Sequence, residues 1–323
     1  MLPAPAPTRL RLHDTYTEVR PASRKHGILR GETQAKRRLR NSPPMPETLP
    51  TVVQILSQSR AAPDVDRLRS VLERDPVTSA WVLRHINSAF YGLRQKVSSI
   101  ERAVTYLGFE PVCNLVLMEV LKQTFSDVSS GRPHDVYEHL MTTSIAAAAF
   151  SKGLAEHLHL ARPDTAFSAG VLHQVGRLAL LSREPARYAE LWTEVDGRRF
   201  LEAPPAGQEM IRFGADHVET GGQIAHAWEL SNELLLPILF YKRPHQARMK
   251  QEWAYVLLVA VGHSAARSLR GGGEQPDAFV EGDFDASLTL LARLAETTPP
   301  ALIAFLNEMR ENVNQFVGLA FSA

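Results

Sequence analysis

Cysteine is the scarcest residue in this chain of 323: Cys113 stands alone, which excludes an internal disulfide and any zinc cage built from several thiolates. Its neighbours in Pro-Val-Cys-Asn-Leu-Val-Leu are apolar, so the thiol reads as a small buried hydrophobe. Long apolar runs are missing too. The longest, Leu234 to Tyr241 and Tyr255 to Gly262, fall well short of the roughly 20 residues that span a bilayer, and the amino terminus has no apolar core of signal-peptide type. A cytoplasmic protein without a membrane span is the expectation. Phosphate-binding G-x-x-x-x-G-K-[ST] loops, G-x-S-x-G elbows and G-x-G-x-x-G turns are absent, so P-loop hydrolysis, serine hydrolysis and dinucleotide binding lack their hardware. Alternating β patterning is absent as well, which points to an all-α chain.

At 44% hydrophobic and 22% charged residues, the composition is that of a globular protein with a sizeable core. The net charge of +1 hides an asymmetry: residues 1–45 carry ten Lys and Arg against Asp14, Glu18 and Glu32, so the remainder is net acidic. That first segment is rich in Pro and Arg and poor in clustered apolar residues, and reads as a flexible basic tail. Its basic residues Arg24, Lys25, Lys36, Arg37, Arg38 and Arg40 suit contact with nucleic acid, an anionic membrane or an acidic partner.

From Pro46 the pattern turns helical. Leu49, Val52, Val53 and Leu56 recur at helical spacing, and a second helix follows over Val65 to Arg74. Asp75-Pro76 predicts a helix start and Gly92 its stop; Ser98-Ser99-Ile100-Glu101 has capping-box spacing, with Gly108 closing the helix it opens. Another helix begins at Pro111 and reaches Phe125. After a loop at 126–133, helices are expected at 135–158, 164–182, 185–196, 204–212, 216–229, 231–240 and 250–269. Gly271-Gly272-Gly273 breaks the pattern before closing helices from Phe284 to Ala295 and Pro299 to Phe316. The expected organisation is a tail (1–45), an amino-terminal helical subdomain (46–130), a second helical subdomain (131–270) and carboxy-terminal helices (271–323).

Several separated motifs then carry a resemblance. Ala169-Gly170-Val171-Leu172-His173-Gln174-Val175-Gly176 resembles the "HD-x-G" helix of the HD phosphohydrolase superfamily, with Gln174 where that helix has Asp. Asp75-Pro76, Asn87-Ser88-Ala89-Phe90-Tyr91-Gly92, Leu107-Gly108, Glu209, Phe213-Gly214-Ala215-Asp216-His217 and Trp228 resemble, in the same order, the HDOD family, a branch regarded as lacking catalysis. The likeness covers about residues 46–265. It implies a multi-helix HDOD fold in which an amino-terminal subdomain packs on a degenerate HD-like subdomain, and a regulatory role in bacterial signalling.

By that resemblance the metal positions read Thr143, His173, Gln174, His217, Tyr241, Lys242 and His263. HD-type hydrolysis needs carboxylates and imidazoles converging on divalent ions, and no acid remains at any of these positions. The expectation is therefore no catalysis, no metal and no cofactor, with the former metal cleft left to bind a signalling protein or a nucleotide messenger such as a cyclic dinucleotide. Two other readings stay open. His173, His217 and His263 could hold one zinc ion and support phosphodiester hydrolysis, or the basic tail could bind nucleic acid.

Overall fold

The computed structural model describes residues 48–58, 64–88, 91, 93, 95–128, 130–195, 200–248, 252–269 and 283–321. The basic tail with Arg24, Lys25, Lys36, Arg37, Arg38 and Arg40, the Gly92 stop, Ala89-Phe90 and the Gly271–Gly273 break lie outside the described residues. In chain order the elements are α1 (Thr48–Gln58), α2 (Val65–Glu73), α3 (Pro76–Ile86), α4 (Ile100–Leu107), α5 (Phe109–Phe125), α6 (Arg132–Leu158), α7 (Pro163–Leu172), α8 (Val175–Arg183) and α9 (Pro185–Ala189). There follow β1 (Thr193–Val195), β2 (Phe200–Glu202), α10 (Ala206–Phe213), α11 (His217–Ala227), α12 (Asn232–Phe240), a 3₁₀ turn (Pro244–Ala247), α13 (Trp253–Leu269), α14 (Asp283–Leu294) and α15 (Pro299–Phe321). The fold is all-α, apart, among the described residues, from one short antiparallel hairpin with Thr193 opposite Glu202. No helix among the described residues is long and apolar enough to cross a membrane.

Local chemistry explains the helix ends. The Asp75 carboxylate accepts the Thr78 N–H at 2.9 Å and the Thr78 hydroxyl at 2.6 Å, satisfying donors that have no partner within α3. Ser99 does the same for Arg102 at 3.3 Å. At the end of α3 the Asn87 amide donates to the carbonyls of Leu83 and Val97 and accepts the Val97 N–H, all within 2.8 Å, which ties the helix end to the segment leading into α4. This helix therefore ends at Ile86, earlier than the Gly92 that its sequence suggests.

Two further expectations change. The helix foreseen over 164–182 breaks at His173–Gln174, where His173 Nδ1–H donates to the Gly170 carbonyl at 2.6 Å and Gln174 leaves helical geometry at φ −104°, ψ 13°. A side chain that captures a carbonyl three residues back competes with the helix ladder at that carbonyl. The helix foreseen over 185–196 stops at Ala189, and Thr193 and Val195, β-branched residues that favour extended backbone, enter the hairpin instead. Arg132 at the start of α6 donates to the carbonyls of Ala189 and Trp192 and holds that turn in place.

The 27-residue α6 is the central strut. Its Ala146–Ala149 stretch lets α7 and α13 approach closely, and at Gly170 a Cβ would collide with the backbone of Ala148 on α6. The buried side chains form two main clusters: one running from α1 to α12, and one where α6, α13, α14 and α15 meet. The carboxy-terminal helix α15 spans both. Phe316 meets Phe167 of α7 edge-on at 5.9 Å, and the last carbonyls, Leu319 and Ala320, receive bonds from His85 of α3 and Lys122 of α5. Those two donors satisfy groups that a helix end otherwise leaves to water. Asp75→Ala should lower unfolding free energy by about 1 kcal/mol with the denaturant slope unchanged, read from a urea titration; no shift in midpoint would deny the cap.

Candidate functional site

The break between α7 and α8 buries His173 and Gln174 where α6, α11, α12 and α13 pack around it. His173 Nε2 lies 3.0 Å from His263 Nδ1 on α13, and the two rings pack with Tyr241 as a mutually edge-on trio at 4.7–5.0 Å. The Gly170 carbonyl can only accept, so the proton of His173 sits on Nδ1. Its Nε2 therefore accepts, and His263 donates from Nδ1. Gln174 turns its amide nitrogen to α6, 3.4 Å from the Leu140 carbonyl and 3.2 Å from the Ser144 hydroxyl. Thr143, one residue away, has its hydroxyl buried without a hydrogen-bond partner.

His217 opens α11 and belongs to a second, adjoining network. Arg177 of α8, 1% exposed, donates from Nη1 to Glu209 Oε1 at 2.7 Å and from Nη2 to the Pro204 carbonyl at 3.2 Å and to His217 Nε2 at 3.4 Å. Glu209, 0% exposed, accepts the Tyr188 hydroxyl at 2.8 Å on the same oxygen, and accepts both the backbone N–H and the Nδ1–H of His217 on the other, at 2.8 and 2.5 Å. The approach of α8 to α11 that allows this depends on Gly176, where a Cβ would collide with the His217 carbonyl and the Gly221 nitrogen.

Protonation follows from these contacts. Burial lowers the pKa of His173 to about 3, and Lys242 adds to the effect. His263 is held well below the usual histidine range by burial and then by His173, and His217 by burial and then by Arg177. Burial alone would raise the Glu209 carboxyl, but the bonds from His217 and the Arg177 guanidinium more than offset it and hold it low. The cluster is thus one guanidinium, one carboxylate and three neutral imidazoles, electrically balanced without an added ion.

Of the positions singled out in the sequence, Thr143, His173, Gln174, Tyr241 and His263 gather around the α7–α8 break. His217 stands beside them but is committed to Glu209 and Arg177. Lys242 and Arg243 are exposed and line a surface cavity of about 360 Å³ with His245, Gln246 and Ser287. Arg177, Glu209 and Tyr188 were not anticipated as site residues. A signal existed for one of them, because Arg177 is a lone charge in the apolar run Val175-Gly176-Arg177-Leu178-Ala179-Leu180-Leu181.

A divalent cation does not fit this arrangement. Both ring nitrogens of His173 and both of His217 are spent on protein groups, leaving only His263 Nε2 as an imidazole lone pair. Zinc needs three or four ligand atoms, and magnesium or manganese needs carboxylates, whereas the one carboxylate here is saturated by Arg177, Tyr188 and His217. Among the described residues no three His, Cys, Asp or Glu side chains group as a cation site.

Comparison with known proteins adds the following. The sequence profile of the HDOD domain matches residues 43–244. A Treponema pallidum protein of unassigned role is 25% identical over 209 residues, 61% of this chain but 38% of its own length, so the chain spans about two fifths of that relative. A crystal structure from Shewanella amazonensis, provisionally named a phosphohydrolase, superposes with a TM-score of 0.63 at 21% identity, over 88% of this chain and 97% of that one. One from Marinobacter aquaeolei, provisionally named a signal transduction protein, gives 0.60 at 19% identity, over 90% and 61%. At such identities the likeness fixes the fold and leaves the chemistry to the residues.

Two outcomes follow. Arg177→Met should cost about 3–5 kcal/mol because it strands a buried carboxylate, whereas Thr143→Val should be neutral or stabilising by up to about 1 kcal/mol, since it removes an unpaired buried hydroxyl. Urea unfolding compares them, and a large loss in the valine variant would contradict the geometry. On acidification, His173 takes up a proton at about pH 3 when folded but at about 6.5 when unfolded. Its stabilising contribution is therefore complete above 6.5 and declines as pH falls toward 3, by up to about 1.4 kcal/mol per pH unit, and the depressed Glu209 acts in the same direction below the ordinary carboxylate range. Stability that is flat between pH 7.5 and 5.5, with no proton uptake on unfolding, would contradict the neutral assignment.

Proposed function

The chain belongs to the HDOD domain family, and from that premise we propose that it is a non-catalytic regulatory module that binds a signalling partner or nucleotide messenger and hydrolyses nothing. The observation that carries this reading is the Arg177–Glu209–His217 network. Metal-assisted phosphoester hydrolysis requires a cation that acidifies a bound water and polarises the phosphoryl oxygens. Here a guanidinium occupies the carboxylate and one imidazole that such a cation would need, and a guanidinium has no coordination position in which to acidify a water. Of the three neutral histidines two are fully engaged, and the single lone pair left, His263 Nε2, is fewer than the three or four ligand atoms a catalytic zinc requires.

A messenger carrying phosphates would be received at the exposed cavity beside this centre. Lys242, Arg243 and His245 line it with Gln246 and Ser287, a charge pattern that suits an anion. The cavity adjoins the buried trio through the chain itself, because Tyr241 packs on His173 and His263 while Lys242 follows it. Occupancy there would thus bear on the packing of α12 against α7 and α13.

Purified without chelator, the protein should carry no stoichiometric transition metal and should not turn over bis(4-nitrophenyl) phosphate with added magnesium, manganese or zinc. Metal-dependent turnover that is lost in His263→Ala would overturn the proposal. Calorimetry with cyclic dinucleotides should show heat that is lost in the Lys242→Ala/Arg243→Ala double variant; silence with every nucleotide would leave a protein partner as the regulatory target.

A further inference from the structure

A second cavity, of about 210 Å³, lies away from the His173 centre and opens to the surface between α5, α6, α7 and α15. We propose that it is a binding site for a small amphipathic amine, an aromatic or branched aliphatic body carrying one cationic head. Its walls are apolar: Leu115, Ala149, Phe167, Met309, Val313 and Phe316. Its polar end is built around Asp164, which sits in the first turn of α7.

One oxygen of that carboxylate is committed. Asp164 Oδ1 accepts from Lys152 Nζ at 2.8 Å and from the buried Asn114 amide at 3.2 Å, and Asn114 is held in turn by the Ser168 hydroxyl at 2.6 Å. No described residue donates to the other oxygen, Oδ2, although the side chain is only 20% exposed and lines the cavity. Two donors thus hold the carboxylate by one oxygen and leave the other for a further donor, which is the preorganisation a cationic head requires. Charge points the same way. Asp164 and Glu156 outweigh Lys152 among the lining residues, so an ammonium is favoured there and a carboxylate is repelled.

The volume limits the guest. It lies below the roughly 300 Å³ at which pockets for drug-sized ligands begin, so a single ring or a branched chain fills it. Met309 supplies an unbranched, adaptable wall that can follow the guest's outline. The carboxy-terminal helix thus acts as one side of a container, with its end buttoned to α3 and α5 through His85 and Lys122.

2-Phenylethylamine and its charge-reversed counterpart, 3-phenylpropionate, test the proposal on the full chain. The amine should raise the melting temperature in a saturable way and give a calorimetric isotherm, and the carboxylate should bind at least about ten-fold more weakly, the difference one charge-assisted hydrogen bond makes. Asp164→Asn keeps an oxygen toward Lys152 but removes the charge, and should weaken the amine by about ten-fold. Ala149→Met fills the cavity without disturbing the helix and should abolish binding, with circular dichroism confirming the fold of both variants. Equal binding of amine and carboxylate, amine binding that survives Ala149→Met, or no binding of either probe at millimolar concentration would each overturn it.

Discussion

An arginine with 1% of its surface exposed must find its counter-charge inside the protein, because an unpaired buried charge costs more than most single interactions return. Arg177 finds it in Glu209, and the rest of the centre is arranged to make that pair tolerable. Tyr188 and the backbone N–H and Nδ1–H of His217 complete the carboxylate, while the Pro204 carbonyl and His217 Nε2 take up further donors of the guanidinium. A pair with this many satisfied partners holds α8, α10 and α11 in one register. Gly176 is the steric condition for it, since any side chain at that position would drive the helices apart.

The same pair dictates what the neighbouring histidines can be. Burial and the fixed positive charge of Arg177 hold His217, His173 and His263 neutral, and each neutral ring has one donor and one acceptor to place. Gly170, Glu209 and Arg177 take three of the six ring nitrogens, and the His173–His263 bond takes two more. The internal hydrogen-bond network thus takes up the charge and the lone pairs that a bound cation would otherwise meet.

Much of the fold was legible because its signals are local. Asp75, Ser99 and Gly108 mark helix boundaries by hydrogen bonds and φ preferences that act within four residues, and the amphipathic spacing of α1 and the small residues of α6 state which faces are buried. The interruption at His173–Gln174 was not legible as a break, since it depends on a side chain turning back onto Gly170 in a run that otherwise propagates a helix. Thr193 and Val195 were absorbed into a helix for want of a longer alternation, as three-residue strands give period-two patterning too little room. At the site, His173, Gln174 and His263 were found by their likeness to a motif. Glu209 was not weighed as a site residue, because its role depends on a partner 32 residues away in the chain, a relation no local pattern records.

All but one of the six ring nitrogens of His173, His217 and His263 are committed to protein groups, and nitrogen-15 NMR of the histidine side chains reads that directly. His173 and His217 should each show Nδ1 protonated and Nε2 accepting a hydrogen bond, His263 should show the same tautomer with a free Nε2, and none should shift or broaden when zinc or manganese is added at neutral pH. Metal-induced shifts or paramagnetic broadening at His173 and His217 together would contradict it, by showing that the network yields to a cation.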